Sequence, residues 1–295
     1  MRMNTAISLH ILALCKVLLL VPAVFLALQT FSQQEVGAET RVFRLKDRKN
    51  ISYTQMIQEI RNADLVLIGE VHTQASHHRN QLRIIEALHG TKTPLAVGFE
   101  MFTAENQKIL DRWVAGTLSS NAFIDSYYRN WNYPWTLYRD IFLYLRKKKI
   151  PAIGLNLPPE ITRKVSTSGF ASLTKEELAK LPPETGCAVD EKYMKFIRRA
   201  YAMHGHGGKE FIYFCEAQLL WDQTMARNLL KFKKKNPKKT VVALTGNGHA
   251  WKRGIPEQVR ALSPGTKYRV ILPYIPNYIE PRLVNAEDAD YIVLQ

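Results

Sequence analysis

Five short, uninterrupted apolar runs, each ending on or beside a glycine or a polar residue, limit what this chain can fold into. They are Asp64–Gly69, Leu95–Glu100, Ile150–Asn156, Thr240–Gly246 and Lys267–Pro273, and YIVL at Tyr291–Leu294 offers a sixth. A strand that is apolar on successive residues must be covered on both faces, as strands of parallel sheets are. The intervening segments read as helices: Ser52–Ala63 is amphipathic, and Leu82, Ile85 and Leu88 share one helical face. The expected fold class is α/β, a largely parallel sheet with helices on both faces. About 50 residues separate the second and third runs and about 80 the third and fourth, far more than a crossover needs. Both gaps read helical, so a small helical subdomain is expected from about 103–149 and 158–230, within a domain spanning 39–295.

Residues 1–38 read as a separate element. Arg2 precedes the apolar run Ile11–Leu28, in which Lys16 is the lone charge, and small or polar residues follow. That is the layout of a secretory signal, with Ser32 and Ala38 satisfying the small-residue rule for cleavage. An uncleaved N-terminal anchor is the alternative, since the run just suffices to span a bilayer. Either reading places the body in the periplasm or attached to the cell envelope. Leu14 before Cys15 is a poor lipidation signal. Beyond the leader only Cys187 and Cys215 remain; paired, they close a loop of about 28 residues, worth roughly 3 kcal/mol, and unpaired they are two thiols.

Chemistry-bearing residues sit at the strand ends. Glu70 and His72 follow the first run, Glu100 and Asn156 end the second and third, and Asn247 and His249 follow the fourth. The carboxyl ends of parallel strands form the ligand crevice of such sheets, so these residues are expected to converge. Glutamates and imidazoles offer acid–base groups and metal ligands. His77 and His78 stand close to His72, and one of that pair is expected only to serve the start of a helix. His-Glu-x-x-His, Gly-x-Ser-x-Gly, the dinucleotide-binding glycine pattern, the P-loop and Cys-x-x-Cys-His are all missing. Metalloprotease, serine hydrolase, dinucleotide enzyme, P-loop ATPase and c-type cytochrome lose weight accordingly.

A second cluster, Ser126–Asp140, holds four tyrosines and two tryptophans. Most of these rings are expected to pack helices. The sharper reading is a wall for a flat hydrophobic ligand, with Arg129 and Arg139 available to carboxylates. The chain carries 41 Lys and Arg against 26 Asp and Glu, a net charge of +15. This favours anionic partners without choosing among them. Lys231–Lys239 concentrates six lysines, readable as a solvated helix end or as a contact with anionic lipid.

Six blocks in order then resemble a known family: LIGEVHTQASHHRNQLRIIEAL, VGFEMFTAENQKILDRW, WNYPWTLYRD, IPAIGLNLPPEITRKV, CEAQLLWDQTMARNLL and VVALTGNGHAWKRGIPEQV. Together, over about Asp64–Pro273, they look like the ChaN-like haem-binding proteins, which are similar to the Tiki/TraB and erythromycin-esterase group. The resemblance implies an α/β/α fold with a small helical domain, export to the envelope, and haem binding linked to iron acquisition. It also implies a shared polar core at Gly69-Glu70-x-His72, Glu100 and Gly248-His249. The poor lipidation signal departs from many relatives and puts attachment through lipid in doubt.

Two functional readings follow. In the first, an exported protein binds haem noncovalently for uptake or trafficking. Tyr133 or Tyr138 is the expected iron ligand, because ferric haem favours a hard oxygen donor; His72 or His249 is the alternative. His78, Arg139 and Arg253 complete the haem-contact candidates. In the second reading, Glu70, His72, Glu100 and His249 serve a hydrolase, by acid–base chemistry or around a divalent metal. Expected partners are haem, an anionic membrane surface and, as an open alternative, a second copy in a homodimer. No nucleic-acid partner is expected.

Overall fold

The computed structural model describes residues 41–183, 185–186, 189–201 and 210–294. The leader read over residues 1–38, and Cys187, lie outside the described residues. The chain opens with two short strands, β1 (Val42–Arg44) and β2 (Lys49–Ile51), followed by α1 (Tyr53–Ile60). Then come β3 (Leu65–Glu70), α2 (Ala75–Gly90) and β4 (Leu95–Thr103). Three helices follow, α3 (Gln107–Ala115), α4 (Ser120–Asn130) and α5 (Trp135–Lys148), before β5 (Ala152–Asn156). After β5 run α6 (Pro159–Ser168), α7 (Lys175–Ala179), α8 (Glu191–Tyr201) and the long α9 (Phe211–Lys235). The chain ends with β6 (Thr240–Gly246), α10 (Asn247–Ala250), α11 (Ile255–Leu262), β7 (Tyr268–Pro273) and β8 (Tyr291–Val293).

The eight strands form one sheet in the order β2-β1-β8-β7-β3-β6-β4-β5. From β8 to β5 every neighbouring pair is parallel, and the β1–β2 hairpin is added antiparallel at the β8 edge. The α/β class and the six apolar strands therefore stand as expected. The hairpin is an addition that the sequence reading did not find: Val42–Ile51 folds into two strands. Each has three residues, too few for alternation to register against the surrounding charge.

Strand alternation sorts the core into two layers. Val66, Ile68, Val97, Phe99, Val242 and Leu244 face one side, against Ile60 of α1, Ile84 and Leu88 of α2, Trp113 of α3, Phe123 of α4 and Phe142 of α5. Leu65, Leu67, Ala96, Ile153, Val241 and Ala243 face the other, against Met225 and Leu229 of α9 and Val259 of α11. Two smaller clusters flank α9, one with α6 through Ile161, Val165 and Leu220, the other with α8 through Tyr193, Ile197 and Cys215. Cys215 is a buried thiol there, and burial pushes its pKa up to about 11. Among the described residues no helix is long and apolar enough to cross a membrane.

One irregularity shapes the sheet's carboxyl edge. Phe99 pairs with Gly154 but Thr103 pairs with Asn156, so β4 holds two more residues than β5 between these points. The resulting bulge brings the β4 backbone against β5. A Cβ on Gly154 would lie 2.3 Å from the Thr103 carbonyl oxygen, so this position requires glycine.

Candidate functional site

Glu70 ends β3 opposite Gly246, the last residue of β6. Its side chain follows Val66 and Ile68 onto the first layer, where it is 2% exposed. Four donors surround it there. His72 Nδ1 lies 2.8 Å from Oε1, His78 Nδ1 3.2 Å from Oε2, and Gln81 Nε2 donates to Oε2 at 2.7 Å. The Tyr138 hydroxyl also donates to Oε1. Burial opposes the carboxylate, but the hydrogen bonds and charge of His72 and His78 outweigh it and hold Glu70 well below the usual range.

His78 is a cation in this arrangement. Its Nε2 faces the His72 carbonyl oxygen at 3.0 Å, and its Nδ1 faces Glu70 and the Gln81 amide oxygen. All three are acceptors, so both ring nitrogens carry protons. Although burial disfavours the charge, Glu70 raises the pKa of His78 above the ordinary imidazole value. His72 is raised against burial in the same way, by Glu70 and Glu100. His77 differs: its Nδ1 accepts from the Val71 amide at 3.0 Å, and burial lowers its pKa to about 4. His77 thus ties down the turn between β3 and α2.

Glu100 points the opposite way, following Ala96 and Gly98 onto the second layer. Its Oε2 accepts from the Gly246 amide at 2.6 Å, and its Oε1 lies 3.6 Å from His249 Nε2. His249 Nδ1 meets Asp222 Oδ1 at 2.7 Å, and Asp222 Oδ2 accepts from the Tyr193 hydroxyl at 2.7 Å. Burial opposes a charge on His249, but Glu100 and Asp222 raise its pKa to about 9. Burial raises the Asp222 carboxyl, which His249 and Tyr193 counter. Glycine at position 69 makes room for this edge, since a Cβ there would lie 2.5 Å from Asn247 Oδ1.

Between the two clusters lies an open cleft of about 450 Å³. Trp131, Tyr133, Trp221 and Tyr278 give it aromatic walls, and Glu70, His72, Glu100 and His249 give it a polar floor. The His72 ring packs edge-on to Trp131 at 4.9 Å and against Tyr133 at 5.0 Å between centroids. The loop carrying these two rings joins α4 to α5 and is held by the Tyr127 hydroxyl donating to the Tyr133 carbonyl at 2.9 Å. Asn156 reaches the rim from β5 and donates to the Glu100 carbonyl at 2.9 Å.

The candidates named from sequence thus separate. Glu70, His72, Glu100, Tyr133 and His249 line one cleft. Tyr138 does not: it is fully buried beneath the floor with its hydroxyl donated to Glu70, and burial with that negative charge drives its pKa far up. His78 lies in the same buried layer. Arg139 is exposed and pairs with Asp140, and Arg253 pairs with Glu257; neither lines the cleft. In the aromatic segment Tyr127 and Trp135 are core, as most of it was expected to be, while Trp131 and Tyr133 face the cleft. Among the described residues no three His, Cys, Asp or Glu side chains are grouped to hold a metal ion, so the divalent-metal alternative finds no support. Sequence reading missed Asp222, Tyr193, Gln81 and Trp221. The signal for Asp222 was a lone acid within the apolar face of a long helix, AQLLWDQTMA.

Comparisons with known proteins address the family and the fold. A family model described as haem-binding uptake, Tiki superfamily, ChaN matches residues 56–259. A solved structure of ChaN of Campylobacter jejuni, described by its cofacial haem binding, is similar at a TM-score of 0.70 and 20% identity; the match covers 87% of this chain and 96% of that one. A mutant of the erythromycin esterase EreC in its open conformation aligns at 0.49 and 14% identity over 85% of this chain and 82% of its own. The type III effector HopBA1 aligns at 0.46 and 10% identity over 88% and 98%. No curated protein matches. The chain belongs to the ChaN family of haem-binding uptake proteins, in the Tiki superfamily.

Proposed function

We propose that this chain is an exported haem-binding protein acting in haem or iron uptake, with haem as cargo in the strand-end cleft. The observation that carries the reading is the pairing of aromatic walls with oxygen and nitrogen donors at one opening. Trp131, Tyr133 and Trp221 supply flat apolar faces, and Tyr133 and His72 supply donor atoms. These features suit a flat, largely apolar ring system with a ligand-seeking iron. Family membership supports the same reading. Export rests on the N-terminal pattern of Arg2 and the Ile11–Leu28 run.

Tyr133 is the proposed iron ligand. It lines the cleft, whereas Tyr138 is committed to Glu70. A hard phenolate oxygen suits ferric iron. Burial, with Glu100 and Glu70 nearby, raises the Tyr133 pKa, so the free side chain keeps its proton and ligation releases it. Affinity for ferric haem is therefore expected to increase with pH. Titration of Tyr133→Phe with ferric haem tests the assignment, since phenylalanine keeps the ring and removes the oxygen. The Soret and charge-transfer bands are expected to change; unchanged bands would transfer the role to His72 or His249.

A second reading is favoured by one observation, the chain of contacts Tyr193–Asp222–His249–Glu100. A buried acid that orients an imidazole toward the cleft is equipped for acid–base hydrolysis. Ester turnover by the haem-free protein, abolished in His249→Gln, would support it. Turnover unaffected by that substitution would remove it.

A further inference from the structure

We propose that a second cavity, beside α9 at the β5 edge, binds an anionic amphiphile: a carboxylate or phosphate head on an apolar chain. The cavity measures about 640 Å³. One wall is a stripe of α9, where Thr224, Arg227, Lys231 and Lys234 recur at spacings of three, four and three and so share a helical face. Lys180 joins them, and Glu105 is the acid among the described lining side chains. The remaining wall is mostly apolar, with Leu157, Leu181, Leu230 and Leu262; Leu262 is 41% exposed.

Two observations separate this cavity from a merely solvated helix end. Thr224 is 2% exposed and its hydroxyl finds no hydrogen-bond partner, although it lines the cavity. A buried hydroxyl without a partner is costly, and rotation about χ1 would turn the Thr224 oxygen from its closed position toward the cavity, where a ligand oxygen would satisfy it. The lysines also divide by task. Lys233 pairs with Asp64 at 2.8 Å and donates to the carbonyls of Pro237 and Lys239, which closes the helix end. Lys231 and Lys234 line the cavity instead and make no ion pair among the described residues.

These features together select the ligand. Clustered cations attract an anionic head. A bare inorganic anion would leave the leucine wall wet, and a neutral lipid would leave Lys231 and Lys234 unused. Asn156 stands on the rim of both this cavity and the aromatic cleft, its side chain committed to the Glu100 carbonyl and the Leu157 amide. The two sites are neighbours that share this residue.

The test is calorimetric titration of the full chain with dodecanoate, dodecyl phosphate, the neutral glycerol ester of dodecanoate, and inorganic phosphate, alongside sedimentation with anionic phospholipid vesicles. Dodecanoate and dodecyl phosphate are expected to bind. Affinity is expected to fall about fivefold in the Lys231→Ala, Lys234→Ala double variant, given the modest strength of exposed ion pairs. Lys231→Arg should retain binding, Thr224→Val should weaken it, and the haem titration should not change in any of these variants. Equal binding of the glycerol ester, or of inorganic phosphate alone, overturns the proposal. Vesicle binding without uptake of the monomeric amphiphiles overturns it too and assigns the lysines to a membrane surface. Displacement of dodecanoate by ferric haem would make the two sites one and overturn their separation.

Discussion

His249 shows how much of this site is decided by single protons. Buried at 7% exposure between Glu100 and Asp222, it holds its proton up to a pKa of about 9. The unfolded chain gives up that proton near pH 6.5, the ordinary imidazole value. The stabilisation is therefore complete below about pH 6.5 and is lost as the pH rises through about 9. Urea denaturation across that interval is expected to show a decline on the order of 2–3 kcal/mol. A variant carrying both Asp222→Asn and His249→Gln, which leaves no titrating pair, is expected to lose most of that slope; an unchanged slope would refute the assignment. At this scale the sequence was uneven. The position of Glu70, Glu100 and His249 at the ends of apolar runs is visible without any structure, because strands of a parallel sheet deliver their last residues to one edge. Asp222 and Gln81 were hidden. Asp222 contacts a residue 27 positions away and Gln81 one 11 positions away, each from a helix to a strand end, and nothing local reveals which helical turn will face that end.

Among the elements, the β4 bulge does most to shape the site. Two additional residues between Phe99 and Thr103 carry Glu100 and its neighbours past the regular β5 ladder, and the approach is closed by the absence of a side chain at Gly154. Gly154→Ala forces Cβ into the Thr103 carbonyl, and one of the two strands must shift. The expected cost is about 2 kcal/mol or more in chemical denaturation, the scale of an overpacked core. Ordinary stability in that variant would show that the bulge yields easily. The strands themselves were legible because each is an apolar run too long and too unbroken for a loop. The β1–β2 hairpin was not, since half of its residues are charged or polar and its pairing partner, β8, lies at the other end of the chain. The aromatic segment was legible only as a population. Which rings reach the cleft depends on where α4 stops and α5 starts, and Tyr133-Pro134 marks that break without fixing its direction.

The whole sheet is finished on one side by that hairpin. β8 would otherwise present an apolar strand with a bare edge, and the hairpin replaces it with β2, whose Lys49 and Asn50 are exposed. A chain beginning at Ser52 is therefore expected to self-associate, which light scattering would reveal; a monodisperse monomer would show that β8 needs no cover. The class of fold was readable at this scale because it follows from the covering of apolar strands, whereas the assignment of helices to layers was not. That assignment has a thermodynamic meaning for the cleft. Glu70 is fastened through Gln81 and Tyr138 to helices of one layer, and Glu100 faces His249, which is held by Asp222 of α9 in the other. A molecule lodged between them touches groups rooted in both layers. At a concentration a hundredfold above its Kd such a guest adds about 2.7 kcal/mol to the native state. Loosening of either layer releases the guest, so occupancy of the cleft ties the two layers together and sharpens the cooperativity with which the domain unfolds.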